Sequence, residues 1–239
     1  MNFLKIFLRF LYPPKCVICG KIIQEYDALC ENCWSNVKQI VRPFCNKCSS
    51  PIEFDISEDS ICGACMKEEP KYIKARSAFI YNKAISNVIT RFKFFDETYL
   101  KRFMALNMVR ASQDILDNID ILIPVPLHKK RLRQRKYNQS LLLCEEISKL
   151  TKKSFISDFL YKKKHTKQQS SLRKRERLLN LRGKFAVSEK YLGQYADKNI
   201  AIVDDVMTTG TTINECIKAM NKNKIKNIYV ITFAKTKQF

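Results

Sequence analysis

Apolar residues are spaced differently on the two sides of Pro70. After it they fall into short blocks of strand length and stretches of helical period. Residues 75–81 form a near-continuous apolar run that predicts a strand. Ile85, Val88, Ile89 and Phe92 then recur at helical spacing, with Arg91 and Lys93 expected on the outward side. Residues 98–116 predict another helix. Three later segments begin with an apolar strand that runs into a polar turn or loop. The first, 119–125, leads through a basic loop to a helix around 140–150 in which Leu143, Ile147 and Leu150 share a face. The second, 155–161, opens a long basic loop. The third, 199–203, passes through a turn into a helix striped by Ile213, Cys216, Ile217 and Met220. A last strand is expected over 227–234. Strands alternating with helices in this way predict an α/β fold, with flanking helices on a parallel sheet.

Before Pro70 the texture changes. Between Cys16 and Glu69 there is no long apolar run, so the segment can bury little core of its own and needs metal to fold. Eight of the ten cysteines lie here as four Cys-x-x-Cys pairs: Cys16/Cys19, Cys30/Cys33, Cys45/Cys48 and Cys62/Cys65. A two-residue spacer lets both thiolates of a turn reach one ion at about 2.3 Å, and two such turns complete a tetrahedron. Two structural zinc sites follow, with sequential or crossed pairing left open. Gly20 and Gly63 suit the tight turns of such knuckles. Trp34, beside Cys33, could stack on a base or fill the core of its ribbon. Cys144 and Cys216, on apolar helix faces, read as small core residues.

Residues 3–12 mix bulky apolar groups with Lys5 and Arg9. They predict a short helix that packs on the protein itself or touches a membrane or partner, ended by Pro13 and Pro14. The expected organisation is therefore a helix at 1–14, a double ribbon at 15–69 and an α/β domain at 70–239. With cysteines in metal-type pairs and no cleavable leader evident, a reducing cytoplasm is the expected location. No segment reaches the roughly 20 apolar residues of a membrane span. Lys and Arg number 44 against 23 acids, a net charge of +21 that predicts polyanionic partners.

The sharpest signal is the tract Val203-Asp204-Asp205-Val206-Met207-Thr208-Thr209-Gly210-Thr211-Thr212. A buried strand brings two carboxylates to its carboxyl end, where open α/β sheets bind ligands. The Thr-rich turn then enters a helix, whose N-terminal N–H groups and dipole favour phosphate. Gly210 permits close backbone approach, and paired carboxylates suit ribose hydroxyls or magnesium. The plainer alternative is a strand, turn and helix with an Asp pair as its cap.

The tract resembles the phosphoribosyl-pyrophosphate motif of type I phosphoribosyltransferases. With the cysteine pairs, Pro124-Val125-Pro126-Leu127 and Arg135-Lys136-Tyr137-Asn138-Gln139, nearly the whole chain is similar to the ComF family of competence-associated proteins. That family's usual tract reads Arg-Gly-x-Asn-Gln, so Lys136 stands where a glycine is customary. The resemblance implies a type I phosphoribosyltransferase-like sheet preceded by a double zinc ribbon. It implies ribose contacts from Asp204 and Asp205, a 5′-phosphate cradle at 208–212, and pyrophosphate contacts from Pro124, Val125, Pro126 and Arg135. It also implies a bridging magnesium ion and a basic loop over 162–184 carrying Gln168, Gln169, Arg173, Arg175, Arg177 and Asn180.

Catalytic roles would fall to Asp204, Asp205, Arg135 and Arg177. His165 belongs to the basic surface, and His128 is a candidate pyrophosphate contact. The implied partners are phosphoribosyl pyrophosphate, single-stranded DNA, and a helicase or processing protein of the competence machinery. Two activities stay open: transfer of phosphoribosyl to an acceptor, or DNA binding on a fold of that type.

Overall fold

The structure, a computed structural model, describes residues 9–53, 59–127, 132–133, 135–163, 183–225 and 227–237. Its centre is a six-stranded sheet of β1 (Lys38–Gln39), β2 (Lys74–Ile80), β3 (Ile121–Pro124), β4 (Ser154–Phe155), β7 (Ile200–Met207) and β8 (Ile228–Lys235), in the order β1-β2-β8-β7-β3-β4. Five of these strands run parallel, and only β1 is antiparallel to its neighbour. The α/β expectation is met. β8 is buried along its whole length because helices cover both sides of the sheet, which is why it reads as a mainly apolar run, interrupted by Thr232 and ended by Lys235.

Alternate residues of β7 feed two cores. Ala201 and Val203 point to a layer built by α3 (Lys83–Phe94), α4 (Leu100–Ala111), α5 (Gln113–Leu116) and α6 (Gln139–Thr151). Ile200 and Ile202 point to a layer formed by α7 (Thr211–Asn221) and a small antiparallel hairpin, β5 (Leu160–Lys162) with β6 (Phe185–Val187). The helical stripes read from sequence are the buried ones: Ile85, Val88, Ile89 and Phe92 on α3, and Ile213, Cys216, Ile217 and Met220 on α7.

Several expectations need correction. The helix over 98–116 is two helices, broken at Ser112, whose hydroxyl donates to the Met108 carbonyl at 2.7 Å. A serine that bonds back to the preceding turn competes with the ladder that would continue it. The strand expected at 155–161 is two short strands in different sheets, β4 and β5, because residues 156–159 turn the chain away. β7 runs past residue 203 to Met207, and the cysteine-rich segment contributes β1 to the sheet edge.

The cysteine segment also buries more than its composition promised. α1 (Glu31–Ser35) and α2 (Gly63–Lys67) form part of the second knuckle of each ribbon, with Cys30 and Cys62 as N-caps and Cys33 and Cys65 inside the helices. Val17 and Val37 of the first ribbon join the core on the α3 and α4 side, while Cys45 and Cys48 of the second join the core on the α7 side. The two ribbons thus straddle the sheet edge on opposite faces, with β1 crossing between them.

Near the amino end, Phe10 is 83% and Tyr12 72% exposed, and the Tyr12 carbonyl accepts from the Tyr26 hydroxyl at 2.6 Å; residues 3–8 of the expected helix lie outside the described residues. No helix among the described residues is long and apolar enough to cross a membrane.

Candidate functional site

β7 carries Asp204 and Asp205 to the carboxyl end of the sheet, and the helical layer receives both side chains. Asp204 Oδ1 accepts from the Ser140 hydroxyl at 2.9 Å and from the Asp205 backbone N–H at 2.9 Å. Asp205, 5% exposed, has Oδ2 2.5 Å from the Lys93 ammonium. Burial and the neighbouring Asp205 charge push the Asp204 carboxyl up to about 7, opposed by Lys93 and the Ser140 hydrogen bond. With Asp204 poised near neutrality, the two side chains can accept from ribose hydroxyls or, with Asp204 ionised, hold a divalent cation.

Lys93 and Ser140 are site residues that sequence reasoning missed. Lys93 was expected to point outward with Arg91, yet both are engaged. Arg91 forms a bidentate contact with Glu97 and donates to the Val17 carbonyl at 2.6 Å. The available signal was position: Lys93 lies in the last turn of α3, where a long side chain can reach round to the strand end.

Beyond Met207 the chain turns through Thr208, Thr209 and Gly210 into α7. Gly210 occupies the helix N-cap at φ +70°, a left-handed conformation that side chains disfavour, and supplies no side-chain cap. The first N–H groups of an 11-residue helix therefore face the turn without a capping side chain. Thr209 and Thr211 share a hydrogen bond of 2.7 Å between their hydroxyls, which forms one wall of the turn. Thr208 and Thr209 are exposed, and Thr212 is partly buried behind them. Val206 and Met207 are strand residues that pack against the two cores.

Pro124 ends β3 beside Val203, and the Val125 N–H donates to the Val203 carbonyl at 3.0 Å. Asn138 locks this junction. Its Oδ1 caps α6 by accepting from Ser140 N–H, and its Nδ2 donates to the Val125 carbonyl at 3.1 Å. The 124–126 segment thus lies next to the end of β7, with Pro126 leading away.

Arg135 sits with its guanidinium 4.7 Å from the centre of the Phe94 ring and donates to Gln139 at 3.4 Å. Lys136 takes φ +64°, the conformation a glycine would supply, and its ammonium pairs with Asp96 at 2.7 Å. Lys136 thus holds a left-handed conformation that glycine adopts without strain. Arg177, His128, His165, Gln168, Gln169, Arg173, Arg175 and Asn180 lie outside the described residues, while the two ends of the 162–184 segment meet where the Lys163 N–H donates to the Lys184 carbonyl at 2.7 Å.

Elsewhere, the eight cysteines gather into two quartets, Cys16/Cys19/Cys30/Cys33 and Cys45/Cys48/Cys62/Cys65, with all thiols of each within 4.8 Å of one another. The pairing is sequential. Cys19 and Cys30 sulfurs are 3.6 Å apart and Cys48 and Cys62 sulfurs 3.7 Å apart. A tetrahedron with metal–sulfur bonds of about 2.3 Å has edges of about 3.8 Å. Four soft thiolates at that spacing fit zinc, and a closed set of four serves structure rather than catalysis. Trp34 is 46% exposed, so it only partly fills its ribbon. Cys144 and Cys216 are fully buried, and burial pushes both thiols up, as expected of core residues.

Comparison with known families gives a double zinc ribbon domain over residues 7–66 and a phosphoribosyl transferase domain over 141–238. Competence protein F of Haemophilus influenzae is 30% identical over 222 residues, spanning 90% of this chain and 94% of that one. The chain belongs to the ComF family. Other ComF relatives include the DNA utilization protein YhgH of Escherichia coli K12, 26% identical over 94% of this chain and 98% of that protein. Competence protein ComFC of Bacillus subtilis is 24% identical over 90% of this chain and 87% of that protein. The matched transferase region contains β7, the turn and α7. The ComF ribbons match the segment that carries both quartets.

Proposed function

We propose that this protein binds phosphoribosyl pyrophosphate with magnesium at the carboxyl end of β7 and serves the uptake of DNA in competence. The observation that carries the reading is the placement of Asp204 and Asp205 one turn before a helix whose N-terminus has no side-chain cap. Asp204 and Asp205 would hold the ribose hydroxyls, 208–212 the 5′-phosphate, and the 124–126 segment with Arg135 the pyrophosphate. If transfer occurs, the bond from C1′ to the pyrophosphate oxygen breaks as an acceptor nucleophile bonds to C1′. Cations on the departing pyrophosphate then lower the barrier, and Arg177 is a candidate for that role. The competence role rests on the names of the relatives, and a helicase or processing protein is the partner class it implies.

The test is isothermal titration of phosphoribosyl pyrophosphate with magnesium into the wild type and an Asp204→Ala/Asp205→Ala variant. Binding that is lost in the variant supports the reading. Absence of binding in the folded, zinc-loaded wild type overturns it.

A second reading, binding of single-stranded DNA without catalysis, is favoured by Phe94 and Phe95. They are 58% and 66% exposed on a chain of net charge +21, with Arg135 against one ring. Six phosphate contacts would weaken affinity roughly a thousandfold between about 50 and 200 mM salt. A flat salt response would exclude this reading. The exposed Phe10 and Tyr12 give the amino-terminal helix a surface for peripheral contact with a membrane or partner.

A further inference from the structure

Three cations leave the α/β domain to meet the backbone of the cysteine knuckles. Arg91 donates to the Val17 carbonyl in the first knuckle of ribbon one, at 2.6 Å. Arg76 donates to the Asn46 carbonyl in the first knuckle of ribbon two, at 2.9 Å. Lys235 donates to the Cys48 carbonyl, in that same knuckle, at 2.8 Å. The first two bring their own countercharge, since Arg91 pairs with Glu97 and Arg76 with Asp114.

Lys235 differs from both. It is 3% exposed at the end of β8, and among the described residues no carboxylate pairs with it. A buried ammonium without a countercharge is strongly disfavoured, so one must come from elsewhere. Its hydrogen bond places it against Cys48, one of four cysteines that would carry four negative charges around a divalent ion. Such a centre has a net charge of −2, and this one is more buried than its counterpart. Two cysteines of each quartet are buried, but the other two of the second, Cys62 and Cys65, are both half-buried, whereas Cys19 of the first is exposed to water. Solvent reaches the first centre through Cys19, while the second has no exposed cysteine and meets a buried ammonium instead.

We propose that Lys235 is the charge-balancing cation of the second cysteine centre, Cys45/Cys48/Cys62/Cys65, and that it selectively slows metal loss there. Lys235 lies beside Met207 at the same carboxyl end of the sheet as the Asp204/Asp205 turn, but its ammonium is given to the Cys48 carbonyl, so the assignment does not rest on what that turn binds. It also explains why a lysine ends a fully buried strand whose other residues, Thr232 apart, are apolar.

The test uses the full zinc-loaded chain as wild type, Lys235→Gln and Lys235→Arg. Gln keeps a hydrogen-bond donor and removes the charge, while Arg keeps the charge. Each protein is challenged with excess chelator and pulsed with a thiol-alkylating reagent, and its cysteine peptides are quantified by mass spectrometry. Cys144 and Cys216, fully buried and away from metal, report whether the fold is intact.

With Lys235→Gln, the second quartet should become reactive about 10- to 100-fold faster, the range found for outer-sphere partners of metal ligands. The first quartet, Cys144 and Cys216 should keep their wild-type rates, and Lys235→Arg should behave nearly as wild type. An unchanged rate at the second quartet in Lys235→Gln would overturn the proposal. So would equal acceleration at both quartets, with or without exposure of Cys144 and Cys216, because that would make Lys235 a general prop of the fold.

Discussion

Lys93, in the last turn of α3, holds its ammonium 2.5 Å from the carboxylate of Asp205 on β7, with only 21% and 8% of the two side chains exposed. A helix read from sequence as presenting its basic residues to water thus supplies the cation nearest the acidic pair. Pairs buried to this degree lie between exposed bridges, worth little, and fully buried ones, costly to break on one side.

Lys93→Met should therefore destabilise the protein by about 1 to 3 kcal/mol, because Asp205 is left buried with its charge uncompensated. Asp205→Asn in the same background should recover part of that loss. A double-mutant cycle by urea unfolding measures the coupling, and a coupling of zero would mean that the pair contributes nothing.

Asp204 gives stability an unusual pH dependence. Its folded-state value, about 7, lies above its ordinary value of 3.8, so the native chain holds a proton that the unfolded chain has lost. The resulting penalty is absent below about pH 4, grows as pH rises through the interval and is complete above 7. Asp204→Asn should melt higher than wild type at pH 8, by on the order of 1 to 3 kcal/mol, with the difference closing toward pH 4. Melting curves at pH 4, 6 and 8 check this. A difference that does not vary with pH would show that the carboxyl is not perturbed. A ligand requiring ionised Asp204 should correspondingly bind more weakly at pH 6 than at pH 8.

At Lys136 the backbone, more than the side chain, sets what is tolerated. With φ at +64°, a β-branched residue is strained and a glycine is not. Lys136→Val should cost about 1 to 2 kcal/mol. Lys136→Gly should stay within roughly 0.5 kcal/mol of wild type, since relief of strain offsets the exposed Asp96 contact and the added freedom of the unfolded chain. Chemical denaturation of the two variants side by side is sufficient, and equal losses would refute a backbone origin.

The sheet was legible because β7 and β8 are apolar enough to declare themselves and because Ile213, Cys216, Ile217 and Met220 can share only one helical face. The acidic pair and its turn were legible for the same local reason: strand, carboxylates, glycine and helix are consecutive in the chain. What surrounds them was not. Lys93 and Ser140 reach Asp205 and Asp204 from elements 112 and 64 residues earlier in sequence, and periodicity carries no information about such distances. β1 escaped notice because two residues, Lys38 and Gln39, have no pattern to read. The break of the 98–116 helix at Ser112 was similarly hidden, since its cause is one hydroxyl bonding to the turn behind it.

The clamps on the two knuckles also set an order in time. Val17 waits 74 residues for Arg91, but Cys48 waits 187 for Lys235. On a chain emerging from the ribosome, the first ribbon can be seated once α3 is made. The second must hold its shape through synthesis of almost the whole sheet before its last contact arrives. Metal captured early by the second ribbon would keep its thiols from oxidation and mispairing over that interval, making it a scaffold for biosynthesis as well as for the finished molecule.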